Sequence, residues 1–347
     1  MIIINIGELE PPSNQSDKYQ ATVAFDGGKK FPCTIVSPFS TEQENALAWY
    51  LDQYANNAEK KKQAKKVAAS IEGYGKQLFK QVFKDNADIY ARYYEVRQKE
   101  LLIEITGSPA FHSLHWETLH DPELSQPLAL DVPIVRKYHK SPTFSMGEDS
   151  HTINLLIVTA RPHGQQDVDY RTISRPIVDD LRQAKLPVKI HILRPGTYHA
   201  LTDHLAKQKK GYYHIIHFDV HGVLREGKTF LFLDSGTDNQ PAPVKATELA
   251  QLLVQHHIPI TILNACESGK QVGIVETSLS GQFMHAGVPM VLAMRYTITA
   301  GAAKMLMRDF YQNLFAKQDV ATAIRLARST LYHNKARRFY GCYTSMG

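Results

Sequence analysis

From residue 152 onward the chain alternates short apolar runs with stretches of helical spacing, and few folds accommodate that pattern. "INLLIVTA", "VKIHILR", "YYHIIHFD", "IPITILNA" and "VPMVLAM" read as strands. Between them lie predicted helices around 172–186 and 199–208, then "KATELAQLLVQHH" with Thr247 as the expected N-cap, and "LSGQFMHAG", stopped by Gly287. A hairpin, "GVLREGKTFLFLD", interrupts the series, and "AGAAKMLMRDFYQNLF" and "DVATAIRLARSTLY" close it as helices. Strands that alternate with helices imply an α/β fold, a mostly parallel sheet flanked by helices.

The first 148 residues differ in character. "MIIINIGEL" and "YQATVAFDGG" read as strands around a polar turn, "ENALAWYLDQYANN" as a helix, "IEGYGKQLFKQVF" as its continuation after a lysine run, and "ELLIEITG" as a strand. "LHWETLHDPELSQPLALDVPIVRKY" is rich in turns but carries apolar anchors, among them Trp116. The polar stretch 139–151, with Pro142 and Gly147, reads as a linker. The expected division is an α+β region at 1–148 and an α/β catalytic domain at 149–347.

Charge and cysteine usage narrow the function classes. The net charge of +6 is partly local, since "EKKKQAKK" holds five lysines. Such a run reads as a solvated helix face; no aromatic residues interleave with it, which argues against nucleic acid. Cys33, Cys266 and Cys342 are too widely spaced for a disulfide framework or a CxxC metal site, so a reducing cytoplasm is expected. The start lacks a basic n-region and no 18-residue apolar stretch occurs, so neither a signal peptide nor a membrane span is expected. The ending "FYGCYTSMG" leaves room for further chain.

In open α/β sheets functional groups gather beyond the carboxyl ends of the strands. His221 stands there after the third long strand, and Cys266, in "LNACESG", after the fourth. Consecutive parallel strands tend to be neighbours, which would set the two loops side by side. A thiol of ordinary pKa is only about a few per cent thiolate at neutral pH, and an imidazole beside it takes the proton during attack. The backbone N–H groups of Gly222 and Cys266 are the expected oxyanion hole. A lone cysteine in such a domain is more often core; the joint pattern favours chemistry. "NACESG" is similar to the caspase-type Q-A-C-x-G signature, and His221 precedes Cys266 by 45 residues, near the roughly 50 of that class.

Residues 111–332 resemble a CHAT domain, a bacterial branch of the caspase-like cysteine peptidases related to separase. "LHWETLHDP", "LLIVTARP", "YHIIHFDVHG", "LFLD", "LNACESG", "AGVPMVLAMRYTI", "AAKMLMRDFYQNL" and "AIRLARSTL" carry the resemblance in the family's order. The segment from about 42 to 110 is similar to the region that usually precedes them. The resemblance implies a caspase-like fold and a dyad of His221 and Cys266, with no metal or organic cofactor. It also implies a protein substrate, such as a neighbouring effector cleaved in a defence system, and an activating partner protein. Val220 departs from the family's H-F-x-G-H-G pattern: either it packs under the loop or it restricts the backbone that carries His221.

Asp219, Asn264, Glu267 and Arg295 are the expected pocket residues. Asn264 stands where the caspase signature has glutamine and is a candidate to line the pocket before the scissile bond. Arg295 is a candidate for a substrate carboxylate or for pairing with Asp234 or Glu267, and Asp219 for the substrate or the sheet. His217, Asp219 and His221 alternate as ligands might, but zinc needs donors that converge, so His217 reads as a core histidine. His256 and His257 read as helix-end residues that meet the C-terminal dipole. The rival to an endopeptidase is a latent CHAT-type scaffold or sensor that binds a partner protein.

Overall fold

The computed structural model describes residues 1–9, 18–52, 60–138, 144, 152–160, 174–183, 187–225, 228–236, 240–264, 279–294, 300–316, 318–334 and 344–346. Close packing divides the chain into two units, Met1–His139 with Ile324–Cys342, and Lys140–Ala323 with Tyr343–Gly347. The break falls inside the stretch read as a linker. Composition alone groups the last helix with the second half, whereas its residues from Ile324 onward pack in the first unit.

In the first unit β1 (Ile2–Glu8), β2 (Lys18–Phe25), β3 (Phe31–Val36), α1 (Thr41–Asp52) and α2 (Lys61–Phe79) follow in order. After a π-helical turn at Lys80–Lys84 come α3 (Ala87–Val96), β4 (Leu101–Thr106), α4 (Pro109–His112), 3-10 turns at Trp116–Thr118 and Leu128–Leu130, and β5 (Ile134–Lys137). The sheet runs β3-β2-β1-β4-β5, with β4 parallel to both β1 and β5 and the remaining pairs antiparallel. α2 buries Ala64, Val67, Ile71, Tyr74 and Leu78, a three-and-four spacing that forms one face, and exposes Lys61, Lys62, Lys65 and Lys66 on the other. Packing behind it is so close that a Cβ on Gly75 would stand 1.8 Å from the Thr118 carbonyl oxygen.

Two devices hold this unit's polar groups. The Glu117 carboxylate, 4% exposed, takes two hydrogen bonds from the Arg136 guanidinium, whose Nε also donates to the His112 carbonyl at 3.0 Å. Burial alone would raise the Glu117 pKa, but the charge and hydrogen bonds of Arg136, with the charge of Arg328, outweigh it and hold the carboxyl at about 2. Buried Arg328 is in turn held down at about 10, burial outweighing the help of Glu117. At the sheet's edge the Gln81 side chain accepts from the Val36 N–H at 2.5 Å and donates to the Val36 carbonyl at 3.1 Å, and Asn86 Nδ2 donates to the Pro32 carbonyl at 3.1 Å.

The second unit is built on β6 (Ile153–Thr159), α5 (Ser174–Gln183), β7 (Val188–Leu193), α6 (Tyr198–Ala206) and β8 (Ile215–Asp219). A three-stranded antiparallel sheet follows, of β9 (His221–Arg225), β10 (Lys228–Asp234) and β11 (Pro241–Lys245). Then come α7 (Ala246–Gln255), β12 (Ile260–Asn264), α8 (Leu279–Ala286), β13 (Met290–Met294), α9 (Ala300–Phe315), the start of α10 (Val320–His333), whose residues from Ile324 belong to the first unit, and β14 (Thr344–Met346). The main sheet runs β14-β13-β12-β8-β6-β7, all parallel except β14. β8 is buried at every position, as a strand covered on both faces must be. Because the chain starts at β6, steps out to β7 and returns to β8, right-handed crossovers put α5 on one face and α6, α7 and α8 on the other. The packing of α5 on α9, and of α7 on α8, agrees.

Several expectations change. β3 and β11 were not expected; Pro32, Pro241 and Pro243 weaken a strand pattern, and each lies on an edge strand, where a missing N–H costs no ladder bond. α7 starts at Ala246, with Lys245 rather than Thr247 at the N-cap. His256 caps the end of that helix, as read, and burial, with Lys210 and His257 adding, holds its pKa down. Gly287 ends α8 with φ 104°, as read from the sequence.

Candidate active site

Strand register brings the first members of the site together. β6, β8 and β12 lie side by side, and Thr159, Asp219 and Asn264, each the last residue of its strand, form one row across them. Asn264 Nδ2 donates to Asp219 Oδ1 at 3.2 Å, and Ala160 N–H donates to the Asp219 carbonyl at 3.3 Å. Asp219 is 2% and Asn264 8% exposed. Strand order reverses between β6 and β8, the point where open α/β sheets form a crevice at their carboxyl ends.

One residue separates this row from the candidate histidine. Val220 is a bend between β8 and β9, 5% exposed, so its side chain packs inward rather than standing in the loop. His221, expected after the third long strand, is the first residue of β9, half-buried, with Gly222 buried beside it. Its Cα partner is Phe232 of β10, and that of Gly222 is Leu231. The bend at Val220 breaks the alternation that would have put His217, Asp219 and His221 on one face.

The small sheet is tied to the main one close to the same row. Asp234, at the end of β10, donates its N–H to the Gly196 carbonyl at 3.0 Å and accepts from the Gly196 N–H through Oδ2 at 3.1 Å. Thr197 and Asp234 form a parallel bridge. A Cβ on Gly196 would stand 2.3 Å from the Thr159 carbonyl oxygen, so only glycine permits this approach. The end of β6 thus fixes Gly196, Gly196 fixes β10, and β10 carries β9 and His221. Sequence reasoning missed this chain of contacts; a glycine directly after a proline in "LRPGTY" was its signal.

His217 is 1% exposed, and its Nδ1 shares a 2.8 Å hydrogen bond with the hydroxyl of buried Tyr311, whose pKa burial raises far above the ordinary tyrosine value. It belongs to the core. Among the described residues no group of His, Cys, Asp and Glu is arranged to hold a metal ion. No helix among them is long and apolar enough to cross a membrane.

Of the residues singled out in the sequence, Asp219, His221, Gly222 and Asn264 gather at the carboxyl ends of β8 and β12 and in the strand that leaves β8. Cys266, Glu267 and Arg295 lie outside the described residues. Asp234, a candidate partner for Arg295, accepts a hydrogen bond from the Gly196 N–H.

Known proteins share a sequence pattern and a fold with this chain. The sequence model of the CHAT domain matches residues 72–344. No curated protein sequence matches the chain. A chain of the Saccharomyces cerevisiae separase–securin complex is similar in fold, with TM-score 0.51 and 10% identity over 99% of this chain and 29% of that one. A second crystal structure of that complex gives 0.49 and 10%, over 99% of this chain and 30% of that one. The Drosophila initiator caspase Dronc gives 0.37 and 12%, over 62% of this chain and 89% of that one. This chain therefore spans less than a third of the length of the separase-complex chains it matches.

Proposed function

The chain belongs to the CHAT domain family, and from that premise we propose that it is a cysteine endopeptidase acting on a protein substrate. The observation that carries the reading is the row of strand ends, where Asn264, two residues before Cys266, is hydrogen-bonded to Asp219, two residues before His221. Neighbouring parallel strands that end at the same level are suited to present a nucleophile and a base, each two residues farther along the chain, to one carbonyl.

In this reading the Cys266 sulfur gives up its proton to His221 and attacks the carbonyl carbon. The C–S bond forms, and charge builds on the oxygen in reach of the Gly222 and Cys266 N–H groups, each worth about 3 kcal/mol. The C–N bond then breaks as His221 returns the proton to the leaving amine, and water releases the acyl group as a carboxylic acid. Asp219 and Asn264, with Glu267 and Arg295, shape the pocket before the scissile bond. No step calls for a metal or an organic cofactor.

The second unit is assigned the catalytic work, in a bacterial cytoplasm, within a defence pathway in which a partner protein releases the activity and a neighbouring effector is cut. The experiment is mass-spectrometric detection of cleavage, wild type against Cys266→Ala, on candidate effectors and a diverse peptide library. Cuts made by the wild type alone support the reading. Cuts that survive the substitution, or silence from both proteins with every candidate activator, overturn it in favour of a scaffold.

A further inference from the structure

The small sheet offers a surface that the dyad does not use. Its strands pair so that His221 faces Phe232 and Val223 faces Phe230. Cross-strand partners project to the same side of an antiparallel sheet, and alternate residues share that side. Burial agrees: Thr229, Leu231 and Leu233 turn inward, while Val223, Phe230 and Phe232 are half-exposed on the side that bears His221. An apolar strip thus runs away from the candidate base along β9 and β10.

Cations border the strip. Arg225, Lys228 and Lys245, all exposed, share its parity through the pairs Lys228 with Arg225 and Phe230 with Lys245. The Arg225 guanidinium lies 5.5 Å from the centre of the Phe232 ring, so it is folded back along the strip toward the row of His221. The carboxylate among the described residues of this face, Asp234, lies at the His221 end of β10, away from the cations, and accepts from Gly196. Apolar surface with a positive rim calls for a peptide that is apolar first and acidic beyond.

We propose that this face seats the substrate segment that follows the scissile bond, and that it selects an apolar or aromatic residue near the cut followed by acidic residues. The assignment to the leaving side rests on the endopeptidase reading, in which His221 hands its proton to the departing amine. The chain attached to that amine must then pass His221, and β9 continues from His221 along the same face. Alternate residues of an extended peptide are about 7 Å apart, the spacing of His221, Val223 and Arg225 along the strand.

The test uses the full chain carrying Cys266→Ala and measures fluorescence anisotropy with fluorescein-labelled peptides of one length. One peptide runs aromatic then acidic, a second reverses that order, and a third replaces the acids with lysine. The first is expected to bind at least about tenfold more tightly than the third, a difference near 1.4 kcal/mol. Binding of the first should also weaken as salt rises. Arg225→Glu, at an exposed position, should reverse the preference between acidic and lysine peptides, and Phe230→Ser should weaken the first two. Equal affinity for all three, no binding, or a preference unmoved by Arg225→Glu overturns the proposal. Cleavage of the same peptides by the wild type is scored separately. Cutting without the preference leaves the endopeptidase reading standing and removes this one; binding with the preference but no cutting under any condition removes the endopeptidase reading and with it the assignment to the leaving side, and leaves only a peptide-binding face.

Discussion

Asn264 and Asp219 are joined by a 3.2 Å hydrogen bond between the last residues of two adjacent parallel strands, and both side chains are buried. The bond fixes one N–H of the Asn264 amide and one oxygen of the carboxylate at the level where β8 and β12 end. Removing either partner leaves a buried polar group short of a hydrogen bond, at about 1–3 kcal/mol. Asp219→Ala and Asn264→Ala are each expected to lower stability by that amount. The double variant should lose less than the sum, with a coupling of about 1 kcal/mol, measured by urea denaturation of all four proteins.

Gly196→Ala is expected to disturb the site without touching the dyad. Its Cβ would enter the space of the Thr159 carbonyl, so either the end of β6 or the tie to Asp234 must give. Overpacking of this kind costs about 1–3 kcal/mol. The measurable result is a lower Tm together with a fall in peptide cleavage larger than that of Gly211→Ala, an exposed position with open space for a methyl group but φ +73°.

Glu117→Gln should be among the most damaging single changes in the first unit. The amide keeps the shape but not the charge, so buried Arg136 loses its paired carboxylate and Arg328 the favourable charge of Glu117. Breaking a buried pair in this way costs about 3–5 kcal/mol. A variant whose Tm matches the wild type would show that the guanidinium groups reach water or another partner.

The same carboxylate gives the protein an acid limit. Its pKa is about 2 in the fold against an ordinary 4.5, so its contribution to stability is complete above 4.5 and disappears as pH falls toward 2. Unfolding monitored from pH 5 down to pH 2 should therefore show a larger loss in the wild type than in Glu117→Gln, which is already without the charge and keeps only the losses from other carboxylates held below their ordinary values, such as Glu72 and Glu123.

Much of the second unit was legible because its strands are bounded by turn residues and its helices by signals such as Gly287. His221 and Asn264 could be singled out because function in such sheets collects at strand ends, which sequence locates within a residue or two. The misses share a physical cause. β11 carries Pro241 and Pro243, whose cost depends on whether a strand lies at an edge, and that is a tertiary fact. The strand end at Asp219 was legible, but that His221 opens the next strand was not, because β9 joins a different sheet. The tie from Thr159 through Gly196 to Asp234 links residues far apart in sequence, and no local pattern announces it.

At the outer edge of β3 a side chain does the work of a neighbouring strand. Residues of an edge strand point their peptide groups outward at every second position, here Pro32, Thr34 and Val36. Proline has no N–H to offer and its carbonyl is taken by Asn86; both groups of Val36 are taken by Gln81. Among the described residues only the Thr34 peptide is left outward, one rung where a docking strand needs a ladder. The first unit is thereby protected at this edge against templated growth into fibres and against recruitment of a stray peptide, and the protection is reversible: a Gln81→Ala change would uncover the rungs and convert a closed border into a seed.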